Sequence, residues 1–364
     1  MSVYLDYNAT SPLRPQAFAK MQELLPIPAN PSSVHSFGRD AKKHLENSRK
    51  IIAESISAWA NEIIFTSTGT EANATTLNSF PERRLLVSAS EHSSILRNRP
   101  FTENDIIKID ENGIISLADL EKKLVDNQHP SLVSVMLANN ETGVINPIQE
   151  VAGICKKYGA LLHCDAVQAL GKIPVDFSLL GADMLTISAH KCGGAVGAAA
   201  LVVKNNHSIK PLLAGGGQEL GRRAGTENIA AISAFAEAVA AIDLSYMQNL
   251  RAWLDEMEKV MQVKGGLVFG NNSPRLPNTT CVALPSVSNE VQLIDFDLNG
   301  YAVSAGSACS SGRIEKSHVL TAMNVPAEIA SCAIRISTGW NTTQNEIQNF
   351  TQAWLKLVDR LRKN

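Results

Sequence analysis

Short apolar runs alternate with amphipathic stretches along the first two-thirds of the chain, and each run ends on polar residues. Residues 63–66, 85–87, 132–137, 161–164, 184–187 and 198–203 read as buried strands. Between them apolar residues recur at helical spacing. Ala41, Leu45, Ile52, Ile56 and Trp59 do so over 40–59, a helix opens at Glu71, another covers 148–158, and a long one runs from Asn228 to about Met261. Repeated switching between the two periods predicts an α/β fold, a mostly parallel sheet covered by helices on both faces.

Past about residue 250 the pattern changes. Residues 281–284 and 332–336 read as strands and 290–299 as a helix; a final helix carries Ile347, Phe350, Trp354, Val358 and Leu361 on one face. This is a smaller α+β domain, joined by the extended arm of residues 1–14. The expected division is 15–250 for a large domain, and 1–14 with 251–364 for a small one. A chain of 364 residues has room for both.

Charge excludes some partners. The net charge of −2 offers no basic field for nucleic acid. The N-terminal residues lack a basic region followed by an apolar stretch, so no signal peptide is read. The longest strongly apolar stretch, 195–203, is about half a bilayer span. These features predict a soluble, cytoplasmic protein. None of the six cysteines forms a C-x-x-C pair, and their spacing suits neither a zinc site nor a disulfide framework. Cys309 stands apart, in a run of glycine, serine and alanine from Ser304 to Gly312 that predicts an exposed, mobile loop.

In open α/β sheets ligands bind beyond the carboxyl ends of the strands. The polar residues expected there are 66–70, His92, Asn140, Asp165 with Gln168, and Ser188, His190 and Lys191. One such residue alone is more often a turn or a helix cap. Together they meet the needs of a pyridoxal phosphate (PLP) enzyme. Lys191 can take the aldehyde as a Schiff-base amine. Asp165 can keep the pyridine nitrogen protonated, so that the ring works as an electron sink. Thr70, with the amides near Gly69 at a helix start, can hold phosphate. Ser188 and His190 can add to that cradle, Asn140 and Gln168 can reach the ring's 3-oxygen, and His92 can stack on the ring.

At this level of detail the chain resembles the group I cysteine desulfurases of the NifS/IscS type, in the class V branch of fold-type I PLP enzymes. The resemblance is carried, in order, by residues 4–10, 30–38, 68–73, 91–92, 139–143, 163–168, 188–191, 215–219, 222–228, 306–309 and 333–335. It implies a seven-stranded sheet and a homodimer, with Thr226 reaching the partner's phosphate site. It implies that Lys191 binds PLP, that His92 assists proton transfer, and that Arg335 clamps the carboxylate of L-cysteine. It implies that Cys309 removes the substrate sulfur as a persulfide, releases alanine, and passes the sulfur to an acceptor or iron–sulfur scaffold protein. No intrinsic metal is implied; Cys309 is a candidate transient iron–sulfur ligand together with a scaffold.

Two departures from the family pattern matter. Thr68 stands where many relatives carry glycine, which predicts a tighter phosphate turn. Cys192 follows Lys191 where other small residues are usual, which predicts a second thiol near the cofactor. The alternatives are a selenocysteine lyase, another class V enzyme such as an aminotransferase, and a non-catalytic sulfur-relay subunit.

Overall fold

The computed structural model describes residues 2–28, 30–125, 129–306 and 316–361. Its strands are β1 (Val3–Tyr4), β2 (Ile63–Thr66), β3 (Arg84–Ser88), β4 (Ile106–Ile107), β5 (Ser131–Met136), β6 (Leu161–Asp165), β7 (Met184–Ser188), β8 (Ala199–Val203), β9 (Leu267–Val268), β10 (Thr279–Ala283), β11 (Tyr301–Ala302) and β12 (Ala333–Ser337). Seven form one sheet in the order β2-β8-β7-β6-β5-β3-β4. Only β8 runs against its neighbours, β2 and β7; the other pairs are parallel. β2 therefore points the same way as β7, and the carboxyl ends of β2, β3, β5, β6 and β7 share one edge.

Alternation along each strand feeds two faces. Ile63 and Phe65 enter one apolar cluster with Leu45, Ile52, Val151 and Phe235, while Ile64 enters another with Leu77, Leu85, Val87 and Met184. The six strands read from the sequence are all present. β4 is two residues long and has no pattern of its own.

Two helices differ from expectation. The first spans Ser36–Ser55, not 40–59. Ser57 then takes a positive φ of 54°, and Trp59 leaves the core at 73% exposure. The long helix is two, Ile229–Ala240 and Leu244–Val263, bent by 71°. Asp243 causes the break, since its side chain accepts from the amides of Ser245 and Tyr246 and starts a new helix. The chain changes core there. Val239 packs in the large-sheet cluster, whereas Met247 and Leu250 pack in another.

That other cluster joins Leu5 of the arm with Phe296, Ile334, Ile336, Phe350 and Trp354. Its sheet is antiparallel, in the order β12-β10-β9. The last helix, Gln344–Leu361, buries Ile347, Phe350, Trp354 and Val358, each large side chain contributing roughly 1.5–3 kcal/mol. Leu361 does not join them, being 38% exposed at the helix end, and Leu357 is buried instead. β1 pairs with β11, and Asp6 bridges to Ser337. The arm then passes on to the large sheet, where Ser11 N donates to His190 O at 2.8 Å. No single described helix is long and apolar enough to cross a membrane.

Candidate active site

A cavity of about 330 Å³ opens at the shared carboxyl edge. One wall is the start of the Gly69–Ser79 helix. Thr68 caps it, accepting from Glu71 N at 3.0 Å, and has extended backbone (φ −151°) that any residue adopts. The threonine fits this conformation without strain and adds a cap. Gly69 and Thr70 begin the helix, and their amides have no intrahelical acceptor. A Cβ at Gly69 would lie 3.0 Å from Val167 Cγ2, so a larger residue would require Val167 to give way. Such a helix start attracts anions.

The ends of β6 and β7 form the floor. Asp165 is 6% exposed; its Oδ1 accepts from Val167 N at 2.9 Å and its Oδ2 from Asn73 Nδ2 at 2.8 Å. Ser188 Oγ is buried with no hydrogen-bond partner. His190 Nδ1 lies 2.7 Å from Thr10 Oγ1, and burial, with Lys191 and Lys172 adding to it, pushes this imidazole down to about 4. His190 is therefore neutral near pH 7. Lys191 ends a single helical turn, Ala189–Lys191, and its Nζ donates to Asn8 O at 2.7 Å and Ala9 O at 2.8 Å.

Opposite these groups stand His92, Asn140 and Gln168. His92 Nδ1 faces Ser94 Oγ at 2.9 Å and Ser94 N at 3.1 Å. Burial lowers the His92 pKa; Lys191 and His318 lower it further against the pull of Asp165. Gln168 Nε2 donates to Asn8 O at 2.9 Å, while its Oε1 accepts from Lys172 Nζ. Asn140 lines the wall, and its backbone carbonyl accepts from Asn8 Nδ2 and Arg335 Nη1, each at 3.1 Å.

The cavity thus gathers Gly69, Thr70, His92, Asn140, Asp165, Gln168, Ser188, His190 and Lys191. Two expected residues among those described, Arg335 and Thr226, are not on its wall. Arg335 is 1% exposed and lies behind Asn140, with Nη2 on Asp6 Oδ1 at 2.7 Å and a buried Nε that has no partner. Thr226 is exposed, on a loop tied to the helix start by Arg223 and Glu71 at 2.8 Å. Cys309 lies outside the described residues, as does most of the loop expected to be mobile. Cys192, expected as a second thiol near the cofactor, directly follows Lys191 but does not line the cavity. It is 4% exposed and donates to Ala189 O, and burial pushes its thiol up to about 11.

Sequence reasoning gave no role to Asn8, Asn73, Ser94 or Lys172. Asn73 sits inside the quoted run 68–73, which was the available signal. Asn8 and Lys172 reach the site only through tertiary folding. The Lys172 ammonium is buried, with Nζ on Asn8 Oδ1 at 2.8 Å. Burial first, then Lys191 and Arg335, holds its pKa well below the usual lysine range.

The residues present fit PLP. An unpartnered Ser188 hydroxyl and free helix-start amides suit its phosphate. Asp165 suits its ring nitrogen, and a lysine at the cavity floor suits its aldehyde.

Comparison with known proteins agrees. Residues 3–350 match the family model for aminotransferase class-V. The chain is 38% identical to cysteine desulfurase IscS of Dictyoglomus turgidum, over 99% of this chain and 95% of that one. It is 39% identical to a cysteine desulfurase of Enterobacter agglomerans, over 99% and 94%. Among solved structures, a NifS-like protein from Rickettsia africae superposes with a TM-score of 0.92 at 37% identity, covering 99% of this chain and all (100%) of that one. The cavity's chemistry and these likenesses point the same way: the chain belongs to the aminotransferase class-V family, in its PLP-dependent cysteine desulfurase branch.

Proposed function

We propose that the protein removes sulfur from L-cysteine, releases L-alanine and carries the sulfur as a persulfide on Cys309 to an acceptor protein. The observation that carries the reading is the meeting of Lys191, Asp165 and His92 with an anion cradle in one cavity. When bound there, PLP supplies a covalent tether for the substrate amine and an electron sink. The chain's residues do the rest. Gly69, Thr70, Ser188 and His190 hold the phosphate, Asp165 fixes the ring nitrogen, and Asn140 and Gln168 bound the ring edge. Arg335 takes the substrate carboxylate once its Nη2 leaves Asp6, since its planar fork suits bidentate capture.

The thiolate of Cys309 attacks the substrate sulfur. The carbon–sulfur bond breaks, a sulfur–sulfur bond forms, and the carbon left behind takes a proton to become the alanine methyl group. Gly306 and Lys316, the described residues on either side of the Cys309 segment, line a separate cavity of about 280 Å³. The reading includes a homodimer in which Thr226 serves the partner's phosphate site, an iron–sulfur scaffold as one possible acceptor, and a cytoplasmic location. It also keeps two domains, with the division at the Asp243 break where the chain changes core and not at residue 250.

The test is direct. Cys309→Ser should retain bound PLP and bind cysteine yet release almost no sulfide, and after incubation of the wild type with L-cysteine, mass spectrometry should place the added sulfur on Cys309. Sulfur on another cysteine, or full sulfide release by Cys309→Ser, would reject the assignment. Sedimentation showing a fully active monomer would reject the dimer.

A further inference from the structure

Asn73 is 1% exposed, and its side chain stands between two walls of the cavity. Its Nδ2 donates to Asp165 Oδ2 at 2.8 Å and to Ser94 Oγ at 2.9 Å. The orientation is forced, because an ionised carboxylate only accepts and the amide nitrogen must face it. Its Oδ1 is left buried with no hydrogen-bond partner. An orphan acceptor of this kind is unfavourable, and alanine at this helix position would avoid it. The fold retains the amide for its two donors.

Ser94 Oγ, having accepted from Asn73, still has its own proton to give. His92 Nδ1 is 2.9 Å away, and Ser94 N donates to the same nitrogen at 3.1 Å. Two donors on Nδ1 leave the proton of the neutral imidazole on Nε2. We infer that Asn73 is a positioning residue that yokes Asp165 to His92: one amide group fixes the carboxylate and, through Ser94, the tautomer of the imidazole.

In this tautomer His92 is a donor at Nε2, and Nδ1 is closed to any proton that does not pass by way of Ser94. The titratable groups acting on the ring come from three elements. Asp165 at the end of β6 favours its charged form, while Lys191 after β7 and His318 on the His318–Ala322 helix oppose it. Glu91, just before it, is buried and accepts from Met136 N of β5 at 2.6 Å. The inference rests on this cavity being the PLP site.

Two readouts on the PLP-loaded enzyme test the yoke separately at each end. Nitrogen-15 spectra of histidine-labelled protein, with His92→Gln to identify the signals, report on His92. The absorbance of bound cofactor titrated with pH reports on Asp165. Ser94→Ala keeps the backbone donor but removes the hydroxyl, so the His92 titration midpoint should rise by about half a pH unit or more while the cofactor titration stays in place. Ser94→Thr should restore the His92 midpoint. Asn73→Ala should move both titrations and lower kcat about tenfold or more, with KM for cysteine within about threefold. Asn73→Leu fills the site without the donor and carries the same expectation, so a folding failure of the alanine variant does not shelter the inference. Variants at Asn73 that leave either titration unmoved overturn it, as does a Ser94→Ala enzyme whose cofactor titration moves as far as theirs. Borohydride reduction and peptide mass spectrometry check the cofactor's attachment in each variant; a tag on a lysine other than Lys191 defeats the site assignment and the yoke with it.

Discussion

At the carboxyl edge of the large sheet, buried polar atoms are left without partners; in the Glu258 cluster beside the small sheet, they are used up. Ser188 Oγ and Asn73 Oδ1 at the edge have no hydrogen bond. Glu258, on the Leu244–Val263 helix, has several. It accepts from Arg251 at 2.9 Å, from Arg275 at 2.7 and 3.0 Å, and from Thr280 Oγ1 at 2.6 Å. Burial works to raise the Glu258 pKa, but Arg275, Arg251 and Thr280 outweigh it and hold it below the usual carboxyl range. The first region carries an energetic cost that a ligand can relieve, and the second spends its polar groups on holding the fold. Substitutions in the first should therefore change chemistry with little change in stability, and substitutions in the second the reverse.

The sharpest test of that contrast is Lys191→Ala. It should abolish covalent PLP retention and turnover while leaving far-ultraviolet circular dichroism unchanged. Cofactor still covalently held, or a collapsed fold, would break the contrast at its strongest point.

Glu258→Gln is the mirror experiment. It leaves two guanidinium groups short of a buried counter-charge, so stability to urea should fall by about 3 kcal/mol or more. PLP attachment and KM for cysteine should be unchanged below the new melting transition. Loss of cofactor affinity without loss of stability would reverse the assignment of the two regions.

A smaller, graded effect comes with pH. His163 lies between Ser134 Oγ and Thr186 Oγ1, each at 2.9 Å, and burial holds it down to about 4. An unfolded histidine titrates near 6.5, so between about 6.5 and 4 the unfolded chain binds a proton that the native chain refuses. Stability contributed by neutral His163 is therefore present above that window and is lost as pH falls through it. His190 acts in the same direction. Glu91 acts against both, because burial, with Asp165 adding to it, raises its carboxyl well above the usual range. It keeps a proton that the unfolded chain loses, so its contribution falls as pH rises. Glu91→Gln should steepen the gain in stability between about pH 4.5 and 6.5, approaching roughly 1.4 kcal/mol per pH unit for each histidine. Urea midpoints across that range measure it, and an unchanged slope would remove Glu91 from the account.

Much of this was legible in the sequence because the signals are local. Each strand is a short apolar run, and the residues just past it carry the chemistry, so Asp165, Ser188 and Lys191 could be placed from their neighbours alone. What was not legible depends on distance or on a single side chain. Nothing near Asn8 says that its carbonyl will receive both Lys191 Nζ and Gln168 Nε2. Lys172 reads as a surface lysine until Asn8 Oδ1 is brought to it. The break before Leu244 did have a local signal, Asp243 followed by Ser245, but the helical spacing around it was the stronger pattern. Arg335 was read by its place in a motif, and its engagement with Asp6 follows from the path of the arm.

That path bears on how the protein is made. Asn8 N and Ser337 Oγ are 3.0 Å apart in space and 329 positions apart in sequence. At 5–20 residues per second a ribosome needs roughly 15–65 s to make what separates them. Until then the arm has no β11 or β12 to lie against, and its carbonyls at Asn8 and Ala9 have no fixed place from which to hold Lys191. The arm is thus seated only after β12 has been made, and the active site cannot be complete before then.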